Sequence, residues 1–480
     1  MFYPRLMLKK IQARLNNFAD PFLEGLRICK SRDFIIGLII LLAAFAALAS
    51  LSTQALINGD AAVYLQQMKN LDFSGRPVHL GYYLLGAGFI RILPGSTVRC
   101  PADDDHALNL LNCFLGAFSI MLAYFITFII CQKHIPALAS SLFLLTHYMF
   151  LENSIYAEVY TPQVCFLLLA IFLWLLDRPI LTALAFLVSF LITPSAVFAL
   201  PLFFILRPRL RPILLFCATF FSLAAVIIFP VRQPYFFGGR GLFKVAARPF
   251  NLTWALNKEA CEVFSSFSFC LPFVVAGLLE IFARRKLRSF AVALLTLWAF
   301  TLFLAEKIND VPPQLPTYAL LCVVGGLGFG LLLRISESKP YLRIIISAAL
   351  ILAVAANGFN AFKKVRDLNR YHTGYRNTAI EISKVAAPDY LVIGSWTSGI
   401  LFEHYVFQKS YTPYWINTEW LAGSWGKQKQ DESNKKLSQA IAARRQIWLL
   451  GNYPALASGL RRFGYKTTQF DSVYVANAKK

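Results

Sequence analysis

Charge is scarce in this sequence. Of 480 residues only 15% are Asp, Glu, Lys or Arg, against 57% hydrophobic residues, too few polar groups to cover the surface of a soluble chain of that length. A soluble enzyme is excluded. Acidic residues are the scarcest charge, 25 against 47 Lys and Arg, which leaves a net +22. Histidine occurs only 6 times, and the 9 cysteines show no metal or redox spacing. Most of them fall inside apolar runs, where a thiol is a small apolar group. There is no internal repeat, nucleotide-binding Gly-rich loop, zinc motif or nucleophile elbow, so cytosolic ATP-driven chemistry has no support. The basic surplus points to anionic lipid headgroups or phosphate-bearing substrates, and no nucleic acid is expected as a partner.

Long apolar runs are abundant instead. Stretches such as Ile35–Ile57 and Ala107–Ile130 match the thickness of a bilayer core, so the chain reads as a polytopic α-helical membrane protein. Eleven spans are expected, near 35–56, 107–130, 135–151, 160–176, 180–192, 195–206, 213–230, 266–282, 289–305, 317–333 and 343–360. Arg5, Lys9, Lys10, Arg14, Arg27, Lys30 and Arg32 precede the first run, and the positive-inside rule puts that end in the cytoplasm as an uncleaved anchor. Even-numbered connections carry Lys133, Arg178, Arg207 to Arg211 and Arg284 to Arg288, whereas Asp60, Asp72, Glu152, Glu158, Glu306 and Asp310 fall in odd-numbered ones. The acids are therefore expected outside.

Three regions follow: a basic cytoplasmic segment 1–34, a transmembrane domain 35–360 with outer loops 57–106 and 231–265, and an extracytoplasmic α/β domain 361–480. Residues 79–93 read as a surface or half-inserted helix. The stretch 180–206 reads as two short or tilted helices meeting at Thr193-Pro194-Ser195. In the last region, Asp389–Gly394 and Arg445–Gly451 read as buried strands. Five of the 8 Trp lie there, at 396, 415, 420, 425 and 448, suited either to sugar stacking or to a small core. Cys100 and Cys261 are both in outer loops, where a disulfide is conceivable.

Residues fit for chemistry gather in the outer loops. Asp60 follows Asn58-Gly59 at the exit of the first span, as a solvated turn or as a reacting carboxylate. The same loop carries Arg76, His79, Tyr82 and Tyr83, a cation, an imidazole and two phenols suited to proton transfer or phosphate contact. Between spans three and four stand Tyr156, Glu158 and Tyr160, with Pro162 at a first-turn position that holds the Glu158 carboxylate near a helix N-terminus. Loop 231–265 breaks the charge rule with Arg240, Lys244 and Arg248 beside Gly238, Gly239 and Gly241, cations and pliant backbone that match a phosphate. Asp310 adds an acid before a Pro-rich entry to span ten. The run Asp103 to Asp105 reads as a solvated turn, since it lacks the spaced oxygen ligands of a calcium loop.

Taken together, Gly59-Asp60 in the first outer loop, a His-x-Gly-Tyr element at His79 to Tyr82, a Tyr-x-Glu-Val-Tyr element at Tyr156 to Tyr160, many spans and a C-terminal outer domain resemble the GT-C superfamily of membrane glycosyltransferases, and within it the protein O-mannosyltransferase-like group. The resemblance implies an integral protein of a bacterial inner (plasma) membrane, with membrane lipids around it. It further implies transfer of a sugar from a polyprenyl-phosphate donor to a protein, lipid or glycan acceptor at the outer face, with Asp60 as base. His79, Tyr82, Tyr156, Arg240, Lys244, Arg248 and Asp310 are then candidate substrate contacts. Leu80 stands where relatives often carry Pro, and Ala61-Ala62 replace the second acid often found beside the first. Glu158 could supply that second acid. No cofactor is fixed, and a divalent metal stays open. A transporter or flippase for lipid-linked or anionic solutes is the rival reading, since broken helices also occur there.

Overall fold

The computed structural model describes residues 31–53, 55–56, 59–71, 79–92, 101–206, 208–231, 249–308, 312–385, 390–395, 401, 404–405, 414–422, 427–450, 453–470 and 473–478. Arg240, Lys244, Arg248 and Asp310 lie outside them, as do Cys100, Trp396, Trp425 and residues 1–30. The described residues separate into two compact units. One takes those within Met1–Ser52, Leu71–Pro94 and Ala107–Asp367, the other those within Thr53–Asn70, Gly95–His106 and Leu368–Lys480. The second unit thus combines parts of the segment 57–106 with the C-terminal region, which the sequence reads as separate domains.

In chain order the helices are α1 (Ser31–Leu51), α2 (Gly59–Asn70), α3 (Leu80–Ile92), α4 (Pro101–Cys131), α5 (His134–Thr146), α6 (Tyr148–Ile155), α7 (Tyr160–Leu175), α8 (Pro179–Ile192), α9 (Leu200–Leu206), α10 (Leu210–Val231), α11 (Leu252–Phe267), α12 (Leu271–Ala283), α13 (Arg288–Ile308), α14 (Leu315–Ile335) and α15 (Pro340–Val385). Then come β1 (Tyr390–Gly394), β2 (Tyr414–Asn417), α16 (Thr418–Leu421), α17 (Lys427–Ala442), β3 (Gln446–Leu450), α18 (Pro454–Arg462), β4 (Tyr465–Phe470) and β5 (Val473–Ala478).

Among the described residues seven helical stretches are long and apolar enough to cross a bilayer, and eight if α5 and α6, bent by 67° at His147, form one broken span. The other three expected crossings are α7, α8 and α9, of 16, 14 and 7 residues. Each is shorter than the roughly 20 residues an upright crossing takes. Pro194 ends α8 as expected, because its ring and missing N–H cannot continue a helix, and a 3₁₀ turn, Pro194–Ala199, bridges to α9.

The first unit is held by apolar packing and by small residues where helices touch. A Cβ on Gly277 or Gly328 would run into the backbone of Val324 or Phe273, so α12 and α14 approach at backbone distance. Phe186 of α8, Phe203 of α9 and Phe216 of α10 are all fully buried, with ring centroids 5.1–5.8 Å apart. At the bend, His147 accepts a bond from the Phe150 amide. Asn357 donates to the Thr146 carbonyl at 2.9 Å and to the Ser266 carbonyl at 3.1 Å, satisfying two groups that the breaks release.

In the second unit a five-stranded sheet has the order β2-β1-β3-β5-β4. β1 lies parallel to β2 and β3, while β5 runs antiparallel to β3 and β4. All five residues of β1 are buried, the continuous apolar pattern of a strand covered on both faces. Leu391, Ile393, Ile447 and Leu449 form its core with Ala457 and Leu460 of α18. Trp448 is core, 2% exposed, and Lys429 sits 5.4 Å over the Trp420 ring.

Two expectations change. The helix of the last expected span does not stop at 360: α15 runs unbroken from Pro340 to Val385, 46 residues in all, so the shift to polar composition marks a change of surroundings and not an end of helix. Nor is Asp103 to Asp105 a solvated turn. The three acids lie in the opening turns of α4, where negative charge complements the helix dipole, and Asp105 is 1% exposed.

Candidate active site

In the first unit the backbone geometry of the site is set by two amides of α4. Asn109 and Asn112 stand one turn apart on one helix face, and both are fully buried. A buried primary amide must find partners, and these find them in the segment joining α6 to α7. The Ala157 amide donates to Asn109 Oδ1 at 2.8 Å. Asn112 Nδ2 donates to the carbonyls of Tyr156 at 2.6 Å and Glu158 at 2.7 Å. Asn112 Oδ1 accepts from the Tyr82 hydroxyl at 3.1 Å.

Asn112 therefore joins three of the expected site residues: Tyr82, Tyr156 and Glu158. Tyr82 and Tyr156 are both fully buried, so their phenols face the interior. Burial raises the Tyr156 phenol above its ordinary range, and the Glu152 carboxylate and Tyr148 add to the shift. It remains a neutral hydroxyl at physiological pH. Glu158 is only half-buried, and its Oε2 accepts from the Val159 amide at 3.2 Å. The carboxylate thus sits just ahead of α7, whose first turn holds the buried Pro162.

The His-x-Gly-Tyr element has a steric cause. A Cβ on Gly81 would lie 2.9 Å from the Ile192 amide nitrogen and 3.0 Å from the Leu191 carbonyl carbon. Only glycine allows this approach to the end of α8. The approach brings His79 Nδ1 within 2.8 Å of the Ile192 carbonyl, so that nitrogen carries the proton and donates to the carbonyl of the last residue of α8. The ring also meets Tyr83 edge to face at 6.4 Å. Nearby, Gln163 Nε2 donates to Ser195 Oγ at 3.1 Å and its backbone carbonyl accepts from Ser189 Oγ at 3.0 Å.

Asp60 belongs to the second unit. It lies in the first turn of α2, half-buried, with Ala61 and Ala62 buried behind it. The position is an acid at a helix N-terminus and not a solvated turn. At the other end of α2, Lys69 Nζ meets Asp104 Oδ2 at 2.6 Å. Arg240, Lys244, Arg248 and Asp310 are outside the described residues. Among those described, no group of three or more His, Cys, Asp or Glu side chains could hold a metal ion.

Sequence reasoning passed over Asn109 and Asn112. The signal was present: two amides three residues apart, next to the otherwise apolar run from Cys113, are expensive there unless they bind something specific.

No protein-family profile matches the sequence, and no curated protein matches it either. Solved structures do. The chain is similar to ArnT from Cupriavidus metallidurans bound to undecaprenyl phosphate, with a TM-score of 0.58 at 9% identity over 93% of this chain and 98% of that one. ArnT in the apo state gives 0.56 at 11% identity over 92% and 97%. The oligosaccharyltransferase of Archaeoglobus fulgidus gives 0.57 at 12% identity over 86% of this chain and 69% of that one. At such identities the likeness is one of fold alone: this chain has the fold of ArnT and of the archaeal oligosaccharyltransferase.

Proposed function

We propose that this protein is an integral membrane glycosyltransferase that moves a sugar from a polyprenyl-phosphate donor to an acceptor hydroxyl at the extracytoplasmic face of a bacterial inner membrane. The observation that carries the reading is the GT-C fold over 93% of the chain. The ArnT structure with undecaprenyl phosphate supports a polyprenyl-linked donor. The mannosyl-type subgroup, the eleven crossings and the outer placement of residues 361–480 belong to the same reading.

The chemistry is a single inverting displacement. Asp60 takes the proton of the acceptor hydroxyl as its oxygen bonds to the anomeric carbon, and the bond from that carbon to the phosphate oxygen breaks. A phosphate leaves without needing a proton, so positive charge replaces an acid on that side. Arg240, Lys244 or Arg248 fills that role. Glu158 and His79 orient sugar or acceptor, Tyr82 and Tyr156 hold the Glu158 segment through Asn112, and Asp310 contributes to substrate binding.

The reading is tested in proteoliposomes with undecaprenyl phosphate carrying a hexose, a pentose or an N-acetylhexosamine, and with envelope extract as acceptor. Release of undecaprenyl phosphate with sugar on the acceptor supports it. Movement of the intact lipid-linked sugar between leaflets without cleavage would make the protein a flippase, and no response to any of the three donors rejects it.

A further inference from the structure

Two neighbouring residues of the C-terminal region, His404 and Tyr405, are fastened to the segments on either side of Asp60 in sequence. The Leu56 amide donates to the Tyr405 hydroxyl at 2.9 Å across 349 residues of chain. Leu56 is 1% exposed and Tyr405 8%. Only Ile57 and Asn58 separate Leu56 from Gly59, the first residue of α2. His404 Nε2 lies 2.8 Å from Asp105 Oδ1, 299 residues away, and Asp105 follows Asp104, the ion-pair partner of Lys69 near the end of α2.

These contacts close a ring within the second unit. From Asp60 it runs along α2 to Lys69, across to Asp104, along one peptide to Asp105, across to His404, along one peptide to Tyr405, and across to Leu56, which leads back to Asp60. A second strap, from His106 Nδ1 to the Thr53 carbonyl at 3.4 Å, crosses the same two segments. Both ends of α2 are thus tied to fixed points.

The members are chemically suited to bear load. The Asp105 carboxylate is nearly inaccessible, and its Oδ2 has no hydrogen-bond partner among the described residues, so losing His404 would leave a buried acid without that donor. Burial raises the Tyr405 phenol, with the Asp105 charge adding and the Leu56 amide and Arg376 opposing. The Arg376 guanidinium lies 6.0 Å over its ring, which adds a cation–π contact.

We infer that His404 and Tyr405 are positioning residues for Asp60: through Leu56 and the Asp104–Lys69 pair they fix the helix that presents the base, and so couple the C-terminal region to the transfer step. The inference rests on the role proposed for Asp60. Its energetic logic is that a catalytic group displaced by about 1 Å can lose about a hundredfold in rate without any change in what binds.

The test uses the full-length protein in proteoliposomes with undecaprenyl-phosphate sugar. Tyr405→Phe and His404→Ala should each lower turnover about tenfold with KM for the donor unchanged within twofold, and should speed amide hydrogen exchange in 59–70. His404→Gln keeps a side-chain N–H for Asp105 and should recover most of both. Wild-type turnover in Tyr405→Phe and His404→Ala would overturn the inference even if exchange rises, and so would a loss confined to KM. Asp60→Asn, run in parallel, separates the two ideas. If it keeps full turnover the assignment of the base fails, whereas if it is inactive and the two ring variants are not, only the positioning role fails.

Discussion

Asn112 holds the carbonyl oxygen of Glu158 at 2.7 Å from its side-chain nitrogen. The bond fixes the peptide next to the candidate second acid from a helix that carries no charge at that point. Asn112→Asp keeps the shape but turns the donor into an acceptor facing the Tyr156 and Glu158 carbonyls. We expect a loss of about 3 kcal/mol in stability, since two buried carbonyls lose their donor, and turnover lowered more than donor binding. Thermal unfolding in detergent and steady-state kinetics check both, and wild-type values in the two assays would contradict the assignment.

Gly81→Ala places a methyl 2.9 Å from the Ile192 nitrogen. Something must shift, and the bond from His79 to the Ile192 carbonyl is the contact that gives. Overpacking of this kind costs about 1–3 kcal/mol. The expected outcome is reduced turnover with a lowered unfolding temperature, and His79→Ala in the same background should add little, because the contact it removes is already lost.

Gly328→Ala tests packing away from the candidate site. The new methyl would meet the Phe273 carbonyl, forcing α14 off α12. A stability loss of about 1–3 kcal/mol is expected, read as a lower unfolding temperature, with KM and turnover of the folded fraction unchanged. A specific loss of turnover would show that this helix pair does more than pack.

Much of the helical architecture was legible because its determinants are local. Apolar length announced α1, α4 and α13, Pro194 ended α8, and two Gly-closed apolar runs became β1 and β3. The misses share another cause. Asp105 read as a loop acid because its partner, His404, lies 299 residues away, and burial created by such a contact leaves no trace beside the residue. The extent of α15 was hidden by equating polarity with an end of helix, although the stretch from Lys363 to Lys384 contains no proline to break it. Asn109 and Asn112 were visible as anomalies, but their partners in 156–158 are set by the bend at His147, which no local pattern announces.

Asp60 is the centre of the proposed mechanism. The most direct measurement is the initial rate of undecaprenyl phosphate release by Asp60→Asn in proteoliposomes, with the donor that the wild-type protein turns over and with insertion checked by protease accessibility. Loss of a general base predicts a fall of about a thousandfold with donor binding retained. A rate within a few-fold of wild type would contradict the mechanism.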